Sequence, residues 1–166
     1  MISLRIDLSM RRARQMLAGM IRRTRDLGPV RRDFAQHMVE SVTLNFLRGG
    51  RPRRWIPSRR AELTGGTTLV RTARLMKSIS WRVRGNVVLV GTNVAYAAAH
   101  QFGVDKQVVQ RVRAHLRRTR SGKQVVVRPH TRRVHMRLPA RPFLVVQDED
   151  LAYLEERLRA HVLGER

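Results

Sequence analysis

The sequence predicts an α+β fold: a small antiparallel sheet packed against N-terminal and C-terminal helices, with a long basic β-hairpin insertion. Three observations carry this. Apolar residues recur every four positions from Val30 to Phe46, as one face of a helix requires. Apolar and polar residues alternate on both sides of Gly85-Asn86, as a hairpin requires. A second, arginine-rich alternation fills residues 104–137. The 166 residues fit one domain spanning 1–166, with 104–137 as a basic β-hairpin arm inserted in it.

Ile2, Leu4, Ile6 and Leu8 alternate with Ser3, Arg5 and Asp7, which predicts a short strand. Ser9 then caps a helix whose Met10, Ala13, Met16, Leu17, Met20 and Ile21 share a face. That methionine-rich stripe reads as core packing rather than a ligand groove. Gly28-Pro29 closes this helix and opens the next. The second helix carries Val30, Phe34, Met38, Val42 and Phe46 with Ala35 beside them, and Gly49-Gly50 stops it. His37 and His161 sit among non-ligand neighbours and read as surface or packed histidines.

Residues 51–66 read as a loop, bounded by Pro52 and Gly65-Gly66, with Trp55 anchoring it on the core. The Thr64–Thr68 run lacks the Gly-Lys-Ser/Thr ending of a phosphate-binding loop. A short helix is expected over Thr68–Lys77, with Leu69, Leu75 and Met76 facing inward. Ile79, Trp81 and Val83 then alternate with arginines, and Val87–Val90, apolar on both faces, reads as an interior strand. The stretch GTNVAYAAAHQFG, Gly91 to Gly103, follows as a small-residue turn allowing close backbone approach. After the arm, Phe143–Val146 reads as a short strand and Asp148 as the cap of a final helix. Asp148, Glu149 and Asp150 in its first turn suit the helix dipole, and Leu151, Leu154, Leu158 and Val162 form its inward stripe.

Charge narrows the function classes. The net charge is +23, with 32 arginines to three lysines, which favours an anionic partner and says nothing about fold. The arm alone holds 11 Lys/Arg and one acid, Asp105, while five of the 12 acids lie in the last helix. Aromatics are only 5%, leaving few platforms for stacking on bases. The chain has no cysteine, so disulfide and thiolate chemistry are excluded. The first ten residues lack the apolar core of a signal peptide, and no apolar run approaches the roughly 18 residues that span a bilayer; synthesis in a cytoplasm is expected. Ser78, His100 and Asp105 have no spacing that implies an activated nucleophile. His130 and His135 lack cysteine or carboxylate partners that would complete a metal site. Neither catalysis nor a cofactor is expected.

Four motifs stand in order: Leu75-x-x-Ser78-Ile79, Val90-Gly91-Thr92, Tyr96-Ala97-x-x-His100-Gln101-x-Gly103, and Pro139-Ala140-Arg141-Pro142-Phe143-Leu144. With Trp55-x-Pro57 and the acidic last helix, this order resembles the phage virion morphogenesis family of tail-completion and neck proteins. The likeness is clearest over residues 71–103 and 138–158. One departure is Thr72-Ala73-Arg74-Leu75, where the family more often has glycine in place of Ala73; a helical position would accept that exchange.

The resemblance implies a non-enzymatic structural component of a tailed-phage virion. It implies a ring, often of six subunits, at the head–tail junction, bound to other phage neck, connector and tail-terminator proteins. Gly91, Tyr96, His100, Gln101, Gly103, Arg141, Pro142 and Phe143 are then structural motif residues. Arg111, Arg113, Arg117, Arg118, Arg120, Arg133 and Arg137 are expected to meet a neighbouring protein or packaged DNA. Asp148, Glu149, Asp150, Glu155 and Glu156 are expected to form an acidic subunit contact. The competing expectation, from charge alone, is a basic nucleic-acid-binding protein without catalytic activity.

Overall fold

The computed structural model describes residues 10–165. The predicted strand Ile2–Leu8 and the Ser9 cap lie outside them. In chain order the elements are α1 (Met10–Arg25), α2 (Gly28–Arg48), α3 (Arg59–Thr64), α4 (Arg74–Lys77), β1 (Ser80–Arg84) and β2 (Val87–Gly91). They continue with α5 (Ala97–Phe102), β3 (Val104–Val112), β4 (His115–Arg118), β5 (Gln124–Val127), β6 (His130–Leu138) and α6 (Asp148–Leu163). Helices at both ends and small antiparallel sheets make the class α+β, with three two-stranded sheets in place of one. The chain forms two compact units, one ending at Asn93 and resuming at Phe143, the other Val94–Pro142.

In the first unit α2 is the central element. Its four-residue repeat is the buried face: Val30, Met38, Val42 and Phe46 are buried with Ala35, and α6, β1 and β2 pack around it. Phe46 and Phe143 meet at 5.1 Å between ring centroids, and Trp55 lies edge-on to Phe46 at 5.8 Å. Trp55 therefore anchors the loop, as its sequence context predicts. Gly50 is required there: its φ is +108°, and a Cβ would come within 2.7 Å of both Arg53 O and Trp55 Cδ1.

The β1–β2 hairpin has the expected two-residue turn, with Arg84 paired to Val87. Gly85 takes a positive φ and Asn86 does not, the pattern of a type II′ turn.

Several expectations are corrected. The loop over 51–66 contains α3, capped by Ser58, whose Oγ accepts from the Ala61 N–H. The helix expected over Thr68–Lys77 shrinks to α4, since Leu69 and Ala73 both take positive φ. Ala73 is thus not a helical position, and the strain-free residue there is glycine. The strand Val87–Val90 is not interior: β1 is its one ladder partner among the described residues, and Val87 and Leu89 are exposed. Residues 143–146 form no strand. The methionine-rich stripe of α1 is not core, since Met10, Met16, Leu17 and Ile21 are all more than half exposed. In α6, Leu151 is exposed while Leu154, Leu158 and Val162 are half-buried. The cap is Gln147 rather than Asp148, and a capping box links Gln147 and Asp150 reciprocally.

Candidate functional site

The candidate site is a set of surfaces, each built by its own element. In the second unit, β3 and β6 pair antiparallel from Val104↔Leu138 to Val112↔His130. Side chains alternate across a strand, so register decides which residues share a face. Asp105, Gln107, Val109 and Arg111 lie on one face opposite Arg137, His135, Arg133 and Thr131. Val104, Val108, Val112, Val134, Met136 and Leu138 share the other face with Lys106, Gln110 and Arg132. The apolar residues of that second face are mostly half-buried, whereas Arg111, Arg133 and Arg137 are exposed. Arg111 and Arg133 are diagonal neighbours in the ladder, about 7–8 Å apart. Asp105, the arm's one acid, is engaged by His135 Nε2 and lies 3.7 Å from Arg137 Nε. One carboxylate cannot neutralise this face, so it keeps a net positive field.

The sequence places Arg117 on the same parity as Arg111, but the structure does not put it in that ladder. Residues 113 and 114 interrupt the strand, and β4 pairs with β5 in a sheet of its own, Arg117 opposite Val125 and Arg118 opposite Gln124. Arg113 lies in the break, and Arg120 in the tight turn closed by the Gly122 N–H donating to Thr119 O. All four of these arginines are exposed. The expected arginine face therefore has two parts, one on each ladder.

The motif residues meet in pairs. Ser78 Oγ donates to Leu75 O and lies 2.6 Å from Thr92 Oγ1, joining the end of α4 to the end of β2. In the second unit the Arg141 N–H donates to His100 O at 2.7 Å. Gly103 has φ +77°, and a Cβ there would lie 2.9 Å from Ala140 N and 3.0 Å from Leu138 O. Gly103 is therefore the close-approach glycine of the stretch. Gly91 is not: a Cβ at Gly91 would meet open space.

Tyr96 and His100 meet edge to face at 5.9 Å. Burial, and then the positive Arg141, hold the His100 pKa below its usual value. Its Nδ1 is buried without a hydrogen-bond partner in the described structure, as a neutral ring tolerates better than a charged one. Arg141 is itself buried, and burial lowers its pKa. Gln101 is half-buried, while Pro142 is exposed. Phe143 is fully buried in the first unit, and its carbonyl accepts from Asn45 Nδ2.

The acidic helix divides by burial. Asp148, Glu149, Glu155 and Glu156 are exposed. Asp150 is 2% exposed and turns into its own unit, where His37 Nε2 lies 2.9 Å from Oδ1 and Ser41 Oγ donates to Oδ2. It is removed from the expected subunit contact because its carboxylate is already held inside.

The residue that sequence reasoning missed is Arg51. Its Nε donates to Asn45 Oδ1 at 2.8 Å, and its Nη2 donates to Ser41 O and Ser41 Oγ. Its Nη1 reaches Glu149, and its carbonyl accepts from Gln147 Nε2. This buried arginine ties α2 to the start of α6. Nothing in the run of loop arginines distinguishes it.

Among the described residues no group of three or more His, Asp or Glu is placed to hold a metal ion. No described helix is long and apolar enough to cross a membrane.

Residues 8–163 match the family described as the phage virion morphogenesis family. Over 131 residues the chain is 34% identical to a protein of Haemophilus influenzae named Mu-like prophage FluMu G protein 2. That match covers 79% of this chain and 75% of the relative. No solved structure matches the chain.

Proposed function

The chain belongs to the phage virion morphogenesis family, and from that premise we propose that it is a tail-completion or neck protein forming a ring at the head–tail junction. Membership gives it a structural role in building a phage virion, among other phage proteins. The finer reading rests chiefly on one observation. The β3–β6 ladder presents Arg111, Arg133 and Arg137 on an exposed face, with Asp105 as the arm's one acid. A two-stranded ladder of this kind is marginal in water by itself, and like charges so close repel. Both costs fall when a neighbour covers the arm. Exposed Asp148, Glu149, Glu155 and Glu156 on α6 offer the complementary charge on a second copy. That pairing suits head-to-tail contacts, which close into a ring. Arginines left uncovered would line the channel that packaged DNA crosses, where guanidinium pairs well with phosphate.

The test is the mass and shape of the purified protein, by light scattering and negative-stain microscopy. Rings of about six subunits are expected on the symmetry argument above. Monomers at high concentration, together with no copy in mature particles, would overturn the proposal. A salt titration on duplex DNA separates it from a general nucleic-acid-binding protein. Such a protein would bind as a monomer, with log affinity falling by about 0.9 per phosphate contacted for each tenfold rise in salt.

A further inference from the structure

We propose that residues Ile2–Leu8 of a neighbouring copy of this chain add a third strand to the β1–β2 hairpin, along the outer edge of β2. An apolar groove of about 250 Å³ lies there, lined by Phe34, Met38 and Val42 of α2, by Val88 and Val90 of β2, and by residues 144–146. β1 contributes no lining residue, so the groove lies on the side of β2 away from its ladder partner. The edge of β2 that borders it is a row of backbone donors and acceptors awaiting a strand. The floor is apolar, so the occupant must be apolar on the face it turns down and hydrogen-bonding along its side.

Residues 2–8 have that chemistry. Ile2, Leu4, Ile6 and Leu8 occupy one parity, and Ser3, Arg5 and Asp7 the other. An extended strand of this length spans about 23 Å, against about 17 Å for the five residues of β2. In the added strand the four apolar side chains would continue the face of Val88 and Val90. The polar ones would continue the exposed face of Arg82 and Arg84.

The occupant comes from a neighbouring copy because of how α1 is held. Arg23 Nε donates to Val162 O at 2.8 Å, and His161 Nε2 lies within hydrogen-bonding distance of the carbonyls of Arg23 and Asp26. These bonds fasten the C-terminal end of α1 to its own unit. Toward the other end, Met10, Met16 and Leu17 are 56%, 58% and 53% exposed. A helix with an uncovered apolar stripe, leading out of an apolar alternating segment, forms one continuous arm. The copy that takes the strand would also cover the stripe. This inference rests on the ring reading above, and identifies which segment joins one subunit to the next.

The chain's lack of cysteine makes the test direct. Chains carrying Leu4→Cys alone are mixed with chains carrying Val90→Cys alone and treated with a short bismaleimide. A double variant, Leu4→Cys with Val90→Cys, is treated in parallel, and assembly is read separately by light scattering. The expected result is a mixed cross-linked dimer from the single variants, confined to the ring fraction. Rings without any cross-link, or a double variant joined only within one chain, would overturn the strand exchange and leave the ring intact. Absence of rings, seen in the mass measurement alone, would overturn the ring reading and this proposal with it. A second variant, Leu4→Asp with Ile6→Asp, should raise the concentration for half-assembly by roughly a hundredfold or more. The circular dichroism and melting of the separated subunit should not change. Half-assembly at an unchanged concentration would also overturn the inference.

Discussion

Replacing Arg51 with alanine should destabilise the first unit far more than replacing any of its exposed arginine neighbours. The guanidinium is enclosed, with Asn45 fully buried on one side and Ser41 3% exposed on another. Its removal leaves Asn45 Oδ1 without its 2.8 Å donor and takes two bonds from Ser41. An orphaned buried acceptor costs about 1–3 kcal/mol, and the lost charge-assisted bonds to Ser41 add about 1–2 kcal/mol. The bond to Glu149 adds little, because Glu149 is 69% exposed and screened by water. The sum is about 3–4 kcal/mol, or a fall in Tm of about 8–12 °C for a chain of this size. Urea unfolding followed by Trp55 fluorescence gives the value directly. Arg53→Ala, at an exposed position, should stay within about 0.5 kcal/mol of the parent, and Glu149→Ala within about 1 kcal/mol. A loss under about 1 kcal/mol for Arg51→Ala, with an unchanged denaturant slope, would refute the reasoning. It would mean that Asn45 and Ser41 are satisfied equally well without the guanidinium.

Three further outcomes are expected. Ala73→Gly should stabilise the protein by about 0.5–1 kcal/mol, because relief of a left-handed alanine exceeds the added freedom of the unfolded chain; urea midpoints read it. Gly103→Ala should weaken the β3–β6 ladder by about 2–4 kcal/mol, from a glycine-only backbone angle plus a contact at Ala140 N. Gly122→Ala, at positive φ but in open space, should cost only about 1–2 kcal/mol; amide hydrogen exchange on β3 and β6 distinguishes them. His100 has a folded pKa below its ordinary 6.5, so the unfolded chain takes up the proton first. Its contribution is therefore complete above 6.5 and declines as the pH falls from there through the lowered folded value. His100→Gln should make the stability loss between pH 7.5 and 5.5 shallower, measured as urea midpoints at both pH values.

Much of the architecture was legible because it depends on near neighbours. Val30, Met38, Val42 and Phe46 lie on one face whatever that face meets, since four residues make about one helical turn. Gly85-Asn86 sets the hairpin through turn geometry alone. The parity of Arg111 and of Arg133, His135 and Arg137 follows from the pleat of any extended chain. The motif from Tyr96 to Gly103 was also visible, although why Gly103 must be glycine emerges only when Ala140 comes back beside it.

The rest required partners distant in sequence. Arg51 is one arginine among five in its loop, and it becomes the buried tie because Glu149, 98 residues away, comes alongside. Asp150 leaves the acidic surface because His37, 113 residues earlier, meets it inside. The strand parity carried from Arg111 to Arg117 was lost where residues 113 and 114 break the ladder. Whether an apolar face is covered is likewise a tertiary matter. The stripes of α1 and α2 are both apolar and periodic, yet α2 is enclosed by α6, β1 and β2 while that of α1 stays open. Local periodicity states which side chains share a face; only the folded arrangement supplies the surface that removes that face from water.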